Sequence, residues 1–210
     1  MNLDEPAVSR LLRMEEVIPA MERALADFST GKVVQPTRVM VPVAEHQGFL
    51  GLMPAYTGTA LGTKLVAFYP HNTDVPTHHA TILLFKPETG EPLATMDGRL
   101  ITEVRTAAVS AVATERLARP DASVLAIIGS GVQARSHLEA LRLVRDFQEV
   151  RVWSPRRAAA FAKEYSVRAA ASGEEAVRGA DVVVTATTSS TPVLSGREPA
   201  EAPVRKEDEG

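Results

Sequence analysis

Ser123-Val-Leu-Ala-Ile-Ile-Gly-Ser-Gly-Val-Gln-Ala-Arg-Ser-His-Leu138 decides the fold of this chain. A short apolar run, Val124 to Ile128, leads into Gly129-Ser130-Gly131-Val132-Gln133-Ala134, and a helical pattern follows. A strand, a tight glycine turn and a helix start, in that order, make the first unit of a dinucleotide-binding fold. Gly129 permits the sharp turn, Gly131 lets backbone amides approach a pyrophosphate, and Ala134 lets the helix pack close to the strand. The phosphates of such a ligand sit at the helix N-terminus, where unpaired N–H groups and the positive end of the dipole favour an anion. Small residues also cluster by chance, and a bare Gly-x-Gly-x-x-Ala string is often a plain turn. The flanking strand and helix give it meaning here.

Glu149-Val-Arg-Val-Trp-Ser154 reads as the second strand, about twenty residues beyond the turn. A site for NAD usually ends this strand with Asp or Glu, which accepts hydrogen bonds from the ribose 2′-hydroxyl. This chain instead has Ser154, Pro155, Arg156 and Arg157. A carboxylate there repels a 2′-phosphate, whereas a hydroxyl and guanidinium groups bind one, so NADPH is the expected cofactor and NAD the alternative. The competing reading of Arg156 and Arg157 is a pair of solvated residues in the first turn of the next helix.

Composition bounds the remaining possibilities. A chain of 210 residues makes one large domain or two small ones, and its 45% apolar share is ordinary for a packed protein. The net charge of −3 supplies no basic footprint for nucleic acid. The chain has no cysteine, which excludes disulfides and thiolate metal sites. No apolar run reaches membrane-spanning length, and Asp4, Glu5 and Glu15 interrupt any signal-peptide core, so a cytoplasmic location is the default expectation.

The chain divides near Pro120. Upstream, Met14 to Thr30 has helical spacing. β-Rich stretches follow at 38–43, 48–53 and 62–69, then a hairpin of 80–86 and 91–96 around Pro87-Glu-Thr-Gly90. Thr102 to Ala118 predicts a helix rich in Ala and Val, buried or packed against a partner. Downstream, strands at 123–128, 149–154, 167–171 and 181–187 alternate with helices near 132–145, 156–165 and 173–179, which implies a parallel sheet with helical crossovers. The expected fold class is α/β. An α+β substrate-binding and dimerisation domain (1–120) precedes a partial Rossmann-type parallel-sheet domain (121–196) and a disordered charged tail (197–210).

Met53-Pro-Ala-Tyr56, Thr63-Lys-Leu-Val66, Met96-Asp-Gly98, Ile101-Thr-Glu-Val-Arg-Thr-Ala-Ala-Val-Ser110, Gly129-Ser-Gly-Val-Gln133 and Ala180-Asp-Val-Val-Val-Thr-Ala-Thr187 together resemble the ornithine cyclodeaminase/mu-crystallin family in order and spacing over residues 14–196. The resemblance implies a homodimer with a Rossmann domain, and chemistry on amino and imino acids. Three activities compete: NADPH-dependent reduction of cyclic ketimines, cyclodeamination of ornithine to proline and ammonia with recycled NAD, and NADPH-dependent binding of thyroid hormone without turnover.

Reducing a C=N bond requires hydride at carbon, a proton for nitrogen, and a cation to hold the substrate carboxylate. Arg38, Lys64 and Arg105 match family positions around that carboxylate, with Arg105 also toward the cofactor, and they are expected to converge on one site facing the nicotinamide. A guanidinium grips a planar carboxylate in bidentate fashion. Lys64, inside an apolar strand, is the expected catalytic residue, a proton donor or acceptor, because desolvation lowers an ammonium's pKa. Surface charge is the alternative for each of the three. Thr77 and His78, in Thr77-His-His79 after Pro76, match a segment lining the family's substrate site; as an alternative, His78 is an ordinary loop residue. Adjacent strand residues point to opposite faces, so His78 and His79 are not read as metal ligands, and no metal site is expected. Asp97 reads equally as a turn residue and a catalytic one, and His137 as structural. On the cofactor side the expected contacts are Gly129, Gly131, Val132, Gln133, Ser154, Arg156, Arg157 and, at the end of the last strand, Thr185, Ala186 and Thr187. Pro155 stands where arginine is common in NADPH-binding relatives, so Arg156 takes over that contact.

The resemblance stops after Gly196, where family chains continue with further Rossmann strands and an acidic catalytic residue. The expectation is therefore an incomplete member, with an uncovered apolar sheet edge, weak cofactor binding, little turnover and a tendency to aggregate.

Overall fold

Alternating apolar residues between Val39 and Asp97 fold as an antiparallel meander, in which each strand pairs with the next. In a computed structural model that describes residues 1–194, the strands are β2 (Val39–Val43), β3 (Gly48–Tyr56), β4 (Leu61–Phe68), β5 (His78–Phe85) and β6 (Pro92–Asp97). A short β1 (Asn2–Leu3) joins parallel to β6, giving the order β1-β6-β5-β4-β3-β2. The Pro87–Gly90 hairpin turn closes through Gly90 N–H donating to Lys86 O at 2.8 Å, with Gly90 at φ +76°.

Helices α1 (Glu5–Leu11), α2 (Met14–Ser29) and α3 (Arg99–Leu117) belong to the same unit, and α3 packs on α1, α2 and β5. Ala107, Ala108 and Ala111 of α3 are fully buried, so the small side chains serve packing within this unit. Ion pairs Arg99–Glu5 and Arg116–Glu22 fasten α3 to the two N-terminal helices. The sequence reading missed α1, yet its signals are present. Asp4 caps it by accepting from Ala7 N–H at 3.0 Å, and Pro6 sits in the first turn.

By its contacts the chain falls into two units. One holds Met1–Ala122 with Arg135–Phe147; the other holds Ser123–Ala134 and the described residues from Gln148 onward. In the second, β7 (Val124–Ile128), β8 (Glu149–Trp153), β9 (Arg168–Ala169) and β10 (Val182–Thr185) are all parallel, in the order β10-β7-β8-β9. The chain is thus α/β, a mainly antiparallel six-stranded sheet with helices followed by a parallel sheet. The crossovers are α4 (Val132–Val144), α5 (Ala158–Tyr165) and α6 (Gly173–Val177). Ile128, Ala170 and Ala176 form a buried cluster packed by Trp153, Val177, Val193 and Leu194. Asp181 ties the start of β10 to β7, because its carboxylate accepts from Ser123 N–H at 2.8 Å and Val124 N–H at 3.0 Å. Expected strands 167–171 and 181–187 shorten to 168–169 and 182–185. The sequence-stretch 197–210 lies outside the described residues.

An ion-pair network crosses the β8–β9 edge. Glu149 accepts from Arg151 at 2.6 Å and Arg168 at 2.9 Å, and Arg168 reaches Glu175 at 2.7 Å. These partners, Arg151 foremost, hold the Glu149 carboxyl at about 2, well below its ordinary 4.5. A depressed carboxyl pKa contributes stability that is complete above the unfolded value and disappears as pH falls through the folded one. In acid unfolding of the chain, Glu149→Gln is expected to flatten the loss of stability between about pH 4.5 and 2. Identical acid limbs for both proteins would remove the network from the account.

Candidate functional site

Gly129 ends β7 at φ +122°, a conformation that L side chains rarely adopt. A Cβ there would lie 2.0 Å from Ala186 O, so the position excludes every other residue. Gly129 N–H donates to Trp153 O at 2.8 Å, and Ala186 N–H donates to Ile128 O at 2.7 Å. The turn is thereby fixed between its two neighbouring strands. Around Gly131, by contrast, a Cβ would meet nothing within 4 Å. That open space beside the start of α4 fits the approach of a pyrophosphate to backbone N–H groups. Val132 is exposed and Gln133 half-buried in the first helical turn. Thr185 and Thr187 are exposed, and Ala186 half-buried, at the carboxyl edge of β10. This is the side of a parallel sheet on which ligands bind.

The corner after β8 is more organised than its sequence suggested. Ser154 Oγ lies 2.8 Å from Ser130 Oγ and accepts from Arg157 N–H at 3.2 Å. Arg156 and Arg157 are exposed, and neither guanidinium has an acidic partner among the described residues.

In the first unit, Lys64 lies mid-strand in β4, between Met53 of β3 and Ile82 of β5. It is half-buried, and its ammonium is held below the ordinary 10.5 by burial first, then by Arg105, then by Arg38. Burial likewise lowers the Arg105 guanidinium. Arg38 immediately precedes edge strand β2 and is exposed. His78 opens β5 opposite Phe68, and its imidazole is lowered by burial, Lys64, His79 and Arg99, against an opposing effect of Asp97. Arg38, Lys64, Arg105 and His78 therefore share one local field, contributed by a loop, two strands and a helix. Among the described residues none of Arg38, Lys64 and Arg105 has a hydrogen-bond or ion-pair partner. Half-buried like charges without counterions are costly, and an anion relieves them.

Thr77, His79, Asp97 and His137 are the remaining candidates. Thr77 is half-buried, and its carbonyl accepts from Tyr69 N–H at 2.8 Å to close the loop before β5. His79 is exposed. Asp97, just before Gly98 at the start of α3, accepts from Arg99 N–H at 2.9 Å. His137 is buried beside Ser110, with Nε2 3.0 Å from Oγ. Two residues escaped the sequence reading. Glu103, only 6% exposed, pairs with Arg135 and accepts from Ser136, fastening α3 to α4. Thr102 Oγ1 is buried without a hydrogen-bond partner among the described residues. The available signal was a carboxylate at helical spacing in an otherwise apolar segment, but its partners lie more than thirty residues away.

Comparison with known proteins gives a consistent picture. The profile of the Ornithine cyclodeaminase/mu-crystallin family matches residues 1–198. The chain is 51% identical over 191 residues to ketimine reductase mu-crystallin of Mus musculus, covering 86% of this chain and 61% of the relative. It is 37% identical over 198 residues to Delta(1)-pyrroline-2-carboxylate reductase of Bacillus cereus, covering 89% and 61%. Among solved structures, Thermococcus litoralis Delta(1)-pyrroline-2-carboxylate reductase in complex with NADH and L-proline superposes with a TM-score of 0.85 at 39% identity, covering 92% of this chain and 64% of the other. The chain spans about three fifths of the length of the curated relatives it matches. No helix among the described residues is long and apolar enough to cross a membrane.

The unpaired cations generate a stability prediction. Lys64→Met removes the half-buried ammonium that Arg105 and Arg38 repel, so the ligand-free chain is expected to melt higher by roughly 2 °C. A chloride-free thermal melt checks this. A lower melting temperature would mean that Lys64 has a stabilising partner after all.

Proposed function

Because this chain belongs to the ornithine cyclodeaminase/mu-crystallin family, we propose that it is built for NADPH-dependent reduction of cyclic ketimines, imino acids of the Delta(1)-pyrroline-2-carboxylate type, to the corresponding cyclic amino acids. The observation that carries the reading is the half-buried Lys64 flanked by Arg105 and Arg38, all three without a counterion among the described residues. Such a cluster suits a small planar carboxylate next to a group that needs a proton.

The nicotinamide cofactor, when bound, supplies the hydride. Arg105 and Arg38 hold the substrate carboxylate, the guanidinium fork fixing its plane. Lys64 delivers a proton to the imine nitrogen, a task suited to an ammonium whose pKa is lowered from its ordinary 10.5 by burial and by Arg105 and Arg38. Thr77 and His78 complete the substrate lining in this reading, His78 within the electrostatic reach of Lys64. In the parallel-sheet unit, Gly129, Gly131, Val132 and Gln133 accommodate the pyrophosphate, Thr185, Ala186 and Thr187 the nicotinamide ribose, and Ser154, Arg156 and Arg157 a 2′-phosphate. Support for NADPH over NADH is the lack of a carboxylate directly after β8 and the two guanidinium groups there that have no acidic partner among the described residues. The working assembly in this reading is a homodimer. Val39 at 56%, Met40 at 41% and Val41 at 46% exposure leave edge strand β2 apolar on both faces.

Binding and turnover test different parts of this proposal. L-Proline titrated into the chain reports the carboxylate grip, and Arg105→Ala is expected to weaken it about tenfold or more while NADPH affinity changes little. Unchanged proline affinity would sink the assignment. Replacing Arg156 and Arg157 together by Ala is expected to weaken NADPH selectively; equal losses for NADH would return both residues to the solvated surface. The reduction rate should fall as pH rises through the lowered Lys64 pKa, since the donor must be protonated, and Lys64→Met should abolish that limb. Light scattering expects twice the chain mass, and a monomer at micromolar concentration would refute the dimer.

A further inference from the structure

Beyond Ile128 and Trp153, the last backbone pair of β7 and β8, the two strands stay joined for another step. Gly129 N–H donates to Trp153 O at 2.8 Å, and after it the Ser130 and Ser154 hydroxyl oxygens lie 2.8 Å apart. Ser154 Oγ also accepts from Arg157 N–H at 3.2 Å. An unbroken series of bonds therefore runs from the glycine turn, through two hydroxyls, to the backbone that carries Arg156 and Arg157.

The hydroxyl inventory then decides what Ser154 offers a ligand. A serine hydroxyl has one proton and two lone pairs. With Ser130 as donor, Ser154 accepts from both Ser130 and Arg157, and its own proton is left for an outside acceptor. An ionised phosphate oxygen can only accept, and a hydrogen bond to it is charge-assisted. Linked hydroxyls polarise one another in that direction, so the phosphate favours this orientation of the pair. A ribose 2′-hydroxyl, itself donor and acceptor, draws no such advantage.

We infer that Ser130 is a positioning residue for cofactor selectivity: it pins the Ser154 corner to the glycine turn and turns the Ser154 hydroxyl into a donor for a 2′-phosphate. The inference rests on the reading of Ser154–Arg157 as the 2′-phosphate corner. Ser130 does not touch the anion in this assignment and acts through Ser154.

Two probes isolate the corner from the nicotinamide and from turnover. Adenosine 2′,5′-bisphosphate and adenosine 5′-monophosphate differ only in the 2′-phosphate, and each is titrated by calorimetry into the 210-residue chain and its variants. The unaltered chain should prefer the bisphosphate. S130A should weaken the bisphosphate about tenfold, the equivalent of ~1.4 kcal/mol, with a much smaller change for the monophosphate. S130T, which keeps the hydroxyl, should restore the preference, and S130V, its isostere without one, should not. That last pair carries the comparison even where S130A melts early. A preference retained in both S130A and S130V overturns the role of Ser130 and leaves the corner reading standing. Equal affinity of the unaltered chain for both probes overturns the corner reading and this inference together, and binding of neither overturns the dinucleotide reading as well.

Discussion

Gly129 and Ala186 meet backbone to backbone, with no room for a single carbon between them. That contact sets the parallel-sheet unit. It brings the end of β10 beside the end of β7, so that the connections after both strands open on the same carboxyl edge. It also gives β7 parallel partners on both sides, β10 and β8, at the point where the direction of strand order reverses. Crevices at such reversals bind ligands because two loops diverge there and leave N–H groups uncovered. The glycine turn, the Ser154 corner and the Thr185–Thr187 segment are brought to one edge by this arrangement of three strands.

The antiparallel unit follows a different logic. Its meander and its α1–α3 helices satisfy ordinary packing rules, with fully buried alanines on α3 and ion pairs at the helix ends. Against that background, the half-buried Lys64 and Arg105 have no counterion among the described residues, contrary to the rule that buried charge is paired. A rigid sheet flanked by well-packed helices can hold like charges together in the absence of a counterion, at some cost in stability. In the proposed function, the reward is a site that grips a carboxylate without rearrangement. Glu103, two residues before Arg105 on the same helix, is paired and hydrogen-bonded within the protein, so α3 offers one charge to its own scaffold and leaves another open.

Much of the architecture was legible because its signals are local. Strand periodicity located β2 to β8 to within a few residues, and the glycine turn located the dinucleotide unit. Boundaries drifted where the sheet, not the sequence, ends a strand: β9 keeps only the residues that β8 can pair, and β10 stops where β7 does. Helix α1 was overlooked because seven residues are too few to show a period, although Asp4 and Pro6 mark its start.

Sequence by itself determined the α/β class, the turn that only glycine can make, the absence of an acid after the second strand, and the residue types available for gripping a carboxylate. These follow from backbone sterics and residue chemistry, which act over a few positions. Tertiary structure alone decided which charges remain unpaired and which hydroxyls are already engaged. Asp97 became the acceptor of the Arg99 N–H, Glu103 a link between helices, and Ser130 the partner of Ser154, across separations of 2, 32 or 33, and 24 residues respectively. The last two separations exceed what local pattern reaches, because a hydrogen bond depends on where the fold returns the chain in space.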